Sequence, residues 1–176
     1  MRSVLRSFIA LVAAGAAMSA CDAISSAQPT TTVSRPGIAE ANATVEFVID
    51  GDTVDFLFDG IEERVRLIGI DTPETKRPNE PVECFGPEAT AFVKQLLPVG
   101  TPVRVERDIV NRDDYGRLLG YVYRADDGIF VNYEIMRQGF AQTLSIPPND
   151  LYADMFADAA RAAESDNVGL WAVCGG

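Results

Sequence analysis

Apolar residues alternate with polar ones on both sides of one tight acidic turn, and no other feature of this chain narrows its fold as much. Val45, Phe47 and Ile49 take every second position before Asp50-Gly51-Asp52, and Val54, Phe56 and Phe58 do the same after it. A period of two marks a strand with one buried face, and a short glycine-containing link between two such strands predicts an antiparallel pair. A third strand is expected over Glu62 to Ile70, with Val65 and Leu67 facing inward, ending at Asp71-Thr72-Pro73-Glu74. Arg66 and Asp71 are an odd number of residues apart, so a regular strand would send them to opposite faces. A bulge or twist near Gly69 would bring them together.

Beyond this sheet the period changes. Gly86-Pro87-Glu88 places a proline and an acid where a first helical turn favours them, and Ala89, Phe92, Val93, Leu96 and Leu97 follow on one stripe before Pro98 and Gly100. Two more strands are expected over Val103 to Val110 and Leu118 to Tyr123, flanking the Asn111 to Arg117 loop. A short helix over Val131 to Gln138 would stop at Gly139, and Asn149 or Asp150 would cap a last helix running to about Glu164. Five strands with helices inserted and appended make an α+β domain, and a small five-stranded barrel is one natural closure for such a sheet.

The chain has 176 residues, of which 47% are hydrophobic, enough for one ordinary domain and an appendage. The appendage is expected at residues 1–20, where Arg2 and Arg6 precede an apolar run from Phe8 to Met18. That run is too short to span a bilayer comfortably and suits the core of an export signal, with a buried helix as the alternative. Met18-Ser19-Ala20-Cys21 resembles a bacterial lipobox, which implies acyl chains on Cys21 and attachment to a membrane surface through lipid. Asp22 resembles the signal that keeps some Gram-negative lipoproteins at the inner membrane, so the expected location is its periplasmic face, with free periplasmic or secreted protein as the alternative. Residues 21–42 are rich in Ser, Thr, Ala and Pro and read as a flexible tether, leaving the domain at 43–174.

Three cysteines leave one to explain. Lipidation of Cys21 would account for it and leave Cys84 and Cys174 as a candidate disulfide, with two reduced thiols as the alternative. The chain has no histidine, so no Ser-His-Asp or Cys-His triad can form. Proton transfer near neutral pH then falls to a carboxylate, lysine, tyrosine or metal-bound water.

Carboxylates and arginines recur in three ordered stretches: Asp50-Gly51-Asp52-Thr53, Arg66 to Glu74, and Asp114-Tyr115-Gly116-Arg117. Carboxylates are hard oxygen ligands for a divalent cation, and guanidiniums present forked donors that match phosphate oxygens. Each aspartate taken alone is more simply a turn residue. Arg66, set among apolar strand neighbours, needs an anionic partner, for which Glu62 or Glu74 would also serve. Gly116 allows a backbone angle that could aim Arg117 inward.

In these stretches the chain resembles the staphylococcal nuclease family, whose Asp-Gly-Asp-Thr, Arg-x4-Asp-Thr-Pro-Glu and Asp-x-Tyr-Gly-Arg motifs occur here in order, and the likeness runs from about Val45 to Trp171. The resemblance implies an OB-type five-stranded β-barrel with three α-helices. It implies Ca2+ held by Asp52, Asp71 and the Thr72 carbonyl, with Asp50 an acid just outside the ligands. It implies Arg66, Glu74 and Arg117 as catalytic residues: the arginines stabilise charge on phosphorus, and Glu74 orients or deprotonates water. Tyr115 remains as a candidate nucleotide contact. Asp114 stands where the family often has lysine, and Leu144 and Ile146 where it has tyrosines.

The expected activity is calcium-dependent hydrolysis of DNA or RNA at the 5′ P–O bond, giving 3′-phosphate products from single-stranded or frayed substrate, with a monomer as the expected state. A non-catalytic OB-type module that binds oligonucleotide or an envelope protein is the alternative. Removing residues 1–20 would leave 13 Lys and Arg against 26 acids, a balance of −13 that repels a polyanion. Arg64, Arg66, Lys76, Arg77, Arg112 and Arg117, all in or beside the motifs, offset it locally.

Overall fold

The expected hairpin is present: β1 (Ala43–Val48) turns through Ile49 to Asp52 and returns antiparallel as β2 (Thr53–Phe58). We describe residues 40–76 and 81–174 of a computed structural model. The leader expected over 1–20, Cys21 and all but the last residues of the tether lie outside them, as does Arg77. Asn42, at the tether's end, is held in place: its side chain donates to the Val105 carbonyl at 2.9 Å and accepts from the Val105 N–H at 2.8 Å.

β3 (Ile61–Leu67) pairs antiparallel with β2. β5 (Pro102–Glu106) pairs with β6 (Leu118–Arg124), and the sheet closes in the order β1-β2-β3-β6-β5 through β1 against β5. The β3–β6 pair is parallel, from Val65↔Leu118 to Leu67↔Gly120. A parallel pair requires a long crossover, and α1 (Gly86–Leu96) lies in it. Val45, Val54, Phe56, Val65, Leu67, Val103 and Val122 are all buried and fill the closed sheet. The result is the α+β architecture expected: a five-stranded barrel with α1, α2 (Val131–Arg137) and α3 (Ala153–Ser165).

Several boundaries differ from the expectation, each for a local reason. The third strand stops at Leu67, and Gly69, at φ +83, redirects the chain into β4 (Gly69–Asp71). β4 leaves the barrel and pairs antiparallel with β7 (Gln142–Leu144), a strand that sequence periodicity does not announce. The fourth barrel strand ends at Glu106 rather than Val110, because Val110 instead bonds Asn149 through both its N–H (2.8 Å) and its carbonyl (2.7 Å). Asn149 is thereby used up and does not cap α3, whose first turn is preceded by Tyr152. A single extra turn, α4 (Leu170–Val173), follows.

Cys84 and Cys174 are joined, with Cα atoms 5.9 Å apart across 90 residues of sequence. Closing a loop of that length contributes about 4 kcal/mol by loop-closure entropy. Among the described residues no helix is long and apolar enough to cross a membrane.

Candidate active site

The turn between β1 and β2 carries Asp50 and Asp52, and the end of β4 carries Asp71 and Thr72. β3 places Arg66 between them. Asp52 is buried, and its Oδ2 accepts from the Thr72 N–H at 2.9 Å and from the Thr72 hydroxyl at 3.1 Å. The same oxygen lies 3.1 Å from Arg66 Nη2, which also donates to Asp71 Oδ1 at 2.8 Å. Arg66 Nη1 donates to the carbonyls of Leu67 and Ile70, both at 2.8 Å, so the guanidinium bridges the kink between β3 and β4. That kink is what puts Arg66 and Asp71 on one side. Gly69 has no substitute there, because a Cβ would sit 2.3 Å from the Phe156 ring.

Asp50 accepts from the Asp52 N–H at 3.1 Å. Burial, then the negative charges of Asp52 and Glu74, push its carboxyl from 3.8 up to about 6, and the Asp52 N–H pulls the other way. Negative charge is therefore crowded into a partly dry corner. The donors gathered here are all oxygen: the Asp52 and Asp71 carboxylates and the turn that carries the Thr72 carbonyl. That chemistry fits a hard divalent cation, whose charge would relieve the crowding. Among the described residues no group of three or more Asp, Glu, His or Cys side chains forms a metal cage.

Glu74 follows Pro73 at the start of the next loop. Its Oε1 accepts from the N–H groups of Thr75 (2.8 Å) and Lys76 (2.6 Å), which fixes the carboxylate against its own turn. Its backbone N–H donates to Glu83 Oε2 at 2.9 Å, and its carbonyl accepts from the Glu83 N–H at 2.9 Å.

Arg117 comes from the loop before β6. Gly116, at φ +81, makes the turn that brings it round. Asp113 organises this loop: Oδ1 accepts from the N–H groups of Tyr115 (3.0 Å) and Arg117 (2.9 Å), and Oδ2 from Arg117 Nε at 2.7 Å. The contact engages Arg117 through Nε rather than through its Nη fork. The guanidinium lies 5.4 Å from the Tyr115 ring centroid, and that ring is 86% exposed, open to a stacking partner. Arg112 pins the loop to β3 with a forked contact to Glu63 at 2.7 and 3.0 Å and a bond to the Gly116 carbonyl.

Arg66, Arg117 and Tyr115 line one cleft of about 350 Å³ together with Leu144, Ile146, Pro147 and Pro148. The two arginines line the same cleft although 51 residues separate them in sequence. Asp113 and Glu83 are the residues that sequence reasoning left without a role. Asp113 is the first residue of the Asp-x-Tyr-Gly-Arg motif, which was its only signal; nothing in the sequence marks Glu83 as a partner of Glu74.

Comparison with known proteins identifies the family of the chain. Residues 64–173 match the family described as Staphylococcal nuclease homologue. A thermonuclease of Staphylococcus intermedius is 42% identical over 127 residues, covering 72% of this chain and 74% of its own. A thermonuclease of Staphylococcus hyicus is 36% identical over 138 residues (77% and 80%), and the endonuclease YncB of Bacillus subtilis 38% identical over 136 (76% and 63%). With this barrel, this order of acids and arginines and these relatives, the chain belongs to the staphylococcal nuclease family and is an enzyme of the nuclease type.

Proposed function

We propose that the protein hydrolyses phosphodiester bonds of DNA or RNA with a bound calcium ion, breaking the 5′ P–O bond and leaving 3′-phosphate ends. The observation that supports this most is that Arg66 lines the same cleft as Arg117 while bonding Asp52 and Asp71. Phosphate donors and cation ligands therefore share one residue.

In-line hydrolysis needs water on the side of phosphorus opposite the leaving 5′ oxygen. Glu74, its carboxylate set by two N–H donors, orients that water and takes its proton as the new O–P bond forms. Arg66 and Arg117 donate to the non-bridging oxygens, where charge grows, and preorganised donors of this kind are commonly the largest catalytic contribution. Arg117 also donates a hydrogen bond to the departing 5′ oxygen, which takes a proton from solvent water and leaves as a hydroxyl. Asp52, Asp71 and the Thr72 carbonyl would hold the calcium ion, which would supply positive charge to offset the charge that grows on the phosphate. Tyr115 stacks on a base, and Leu144 and Ile146 offer it an apolar wall in place of hydrogen bonds.

Product ends test the reaction. Fragments of an end-labelled oligonucleotide should resist polymerase extension until a phosphatase removes their 3′-phosphate. Fragments extended at once would carry a 3′-hydroxyl and contradict the proposed bond. Binding without any products would favour a non-catalytic module.

For residues 1–42 the proposal is a lipoprotein leader, acylation of Cys21 and a tether at the periplasmic face of the inner membrane, with the domain monomeric. Incorporation of labelled palmitate that is lost in Cys21→Ala would support it, and equal labelling of both would contradict it.

A further inference from the structure

Glu74 does not stand on its own turn alone. Glu83 holds its peptide at both ends: the Glu83 carboxylate accepts from the Glu74 N–H, and the Glu83 N–H donates to the Glu74 carbonyl, each at 2.9 Å. The same turn approaches more closely at Gly86, where a Cβ would meet the carbonyl oxygens of Pro73 at 2.9 Å and Glu74 at 3.1 Å. Residues 83–86 are therefore the seat of the Pro73–Glu74 turn.

That seat is itself held from outside. Cys84, next to Glu83, is bridged to Cys174. Cys174 is fastened by its N–H to the Leu170 carbonyl at 2.9 Å, and Leu170 by its N–H to the Gly139 carbonyl at 2.8 Å, at the end of α2. Phe85 has φ +70, a left-handed angle that a side chain rarely adopts, and its ring stacks on Phe140 with centroids 5.3 Å apart. Backbone of this kind persists only where its surroundings overdetermine it, and here the bridge on one side and the stack on the other do so.

We infer that the Cys84–Cys174 bridge positions Glu74 for catalysis through Glu83, so that turnover depends on an intact bridge. The inference rests on the catalytic role proposed for Glu74. Glu83 is a positioning residue that acts through Glu74. Opening the bridge with a dithiol breaks the S–S bond, transfers two electrons and two protons to give two thiols, and oxidises the reagent to its cyclic disulfide. The left-handed turn at Phe85 is then free to relax, and Glu83 loses its fixed grip on the Glu74 peptide.

The test compares oxidised protein, dithiothreitol-treated protein and the Cys84→Ser/Cys174→Ser double variant, with kinetics on a short oligonucleotide and backbone amide chemical shifts by NMR. Opening the bridge should lower kcat by roughly tenfold or more, as expected for a misplaced catalytic group. KM should stay within about twofold, and reoxidation should restore kcat. The Glu74 and Glu83 amide resonances should shift while those of Val54 and Val65 in the barrel keep their positions, which separates a displaced turn from the general loss of stability that opening the loop brings. Glu83→Ala should reproduce the loss and Glu83→Gln, which keeps an acceptor oxygen, should largely escape it. Unchanged kcat with the bridge open would overturn the inference, as would a loss that comes with shifted amide resonances throughout the barrel. A fully active Glu74→Gln variant would remove the catalytic role of Glu74 and this inference with it, a failure distinct from that of the bridge.

Discussion

Thr72 donates twice to a single oxygen of Asp52, through its backbone N–H at 2.9 Å and through its hydroxyl at 3.1 Å. This contact ties the end of β4 to the β1–β2 turn and so brings two acids, 19 residues apart in sequence, to one nitrogen of Arg66, Nη2. Thr72→Val removes the hydroxyl bond and keeps the N–H bond. The expected cost is about 1 kcal/mol in urea unfolding, with a smaller loss of activity than Asp52→Asn causes.

Arg66→Lys should be far more damaging than its conserved charge suggests. A lysine has one ammonium in place of the fork that reaches Leu67, Ile70, Asp71 and Asp52 together. Activity should fall about 100-fold or more, the usual scale for removing a preorganised donor. Steady-state kinetics should place the loss mainly in kcat. Arg117→Lys, held by Asp113 alone among carboxylates in the described residues, should lose a similar factor in kcat at less cost to unfolding stability.

Asp50 sets a pH dependence of definite sign. Its carboxyl is raised to about 6 in the folded protein from 3.8, so between those values the native state keeps a proton that the unfolded chain has released. Stability of the metal-free protein should therefore rise, through this group, as pH falls from 7 through 6 toward 4, and be lost as pH rises again. Thermal unfolding in chelator at pH 7.5 and pH 5 checks it: the gain at pH 5 should shrink in Asp50→Asn. Calcium affinity should move oppositely, weaker at pH 5, because the neutral acid no longer contributes its charge.

Gly69→Ala should destabilise by roughly 2 kcal/mol or more. Its φ of +83 disfavours any side chain, and the added Cβ would fall 2.3 Å from the Phe156 ring. Because this glycine makes the kink that turns Asp71 toward Arg66, residual activity in the folded fraction should drop as well, measured at a temperature well below the variant's midpoint.

The barrel was legible where one face of a strand is buried over several residues, as in Val45–Ile49 and Val54–Phe58, because burial imposes the period of two. β4 and β7 carry no such mark: each has three residues, and all three of β7 are exposed. Asn149 looked like a helix cap because the residue type favours caps, but a tertiary partner, Val110, took its side chain. The acids and arginines were legible as a set because their order in the chain resembles a family pattern; singly, each would have passed for a turn residue or a surface ion pair. Asp113 and Glu83 work by holding other residues, and that depends on contacts across loops that no local pattern records.

The most direct test of the central claim is cleavage of denatured DNA and of RNA by the purified protein, in calcium and then in excess EGTA, beside Glu74→Gln. Calcium-dependent cleavage that collapses both in EGTA and in the variant is the predicted result. A folded, calcium-supplied protein that leaves both polymers intact, or that cuts equally well with Glu74→Gln, would contradict it.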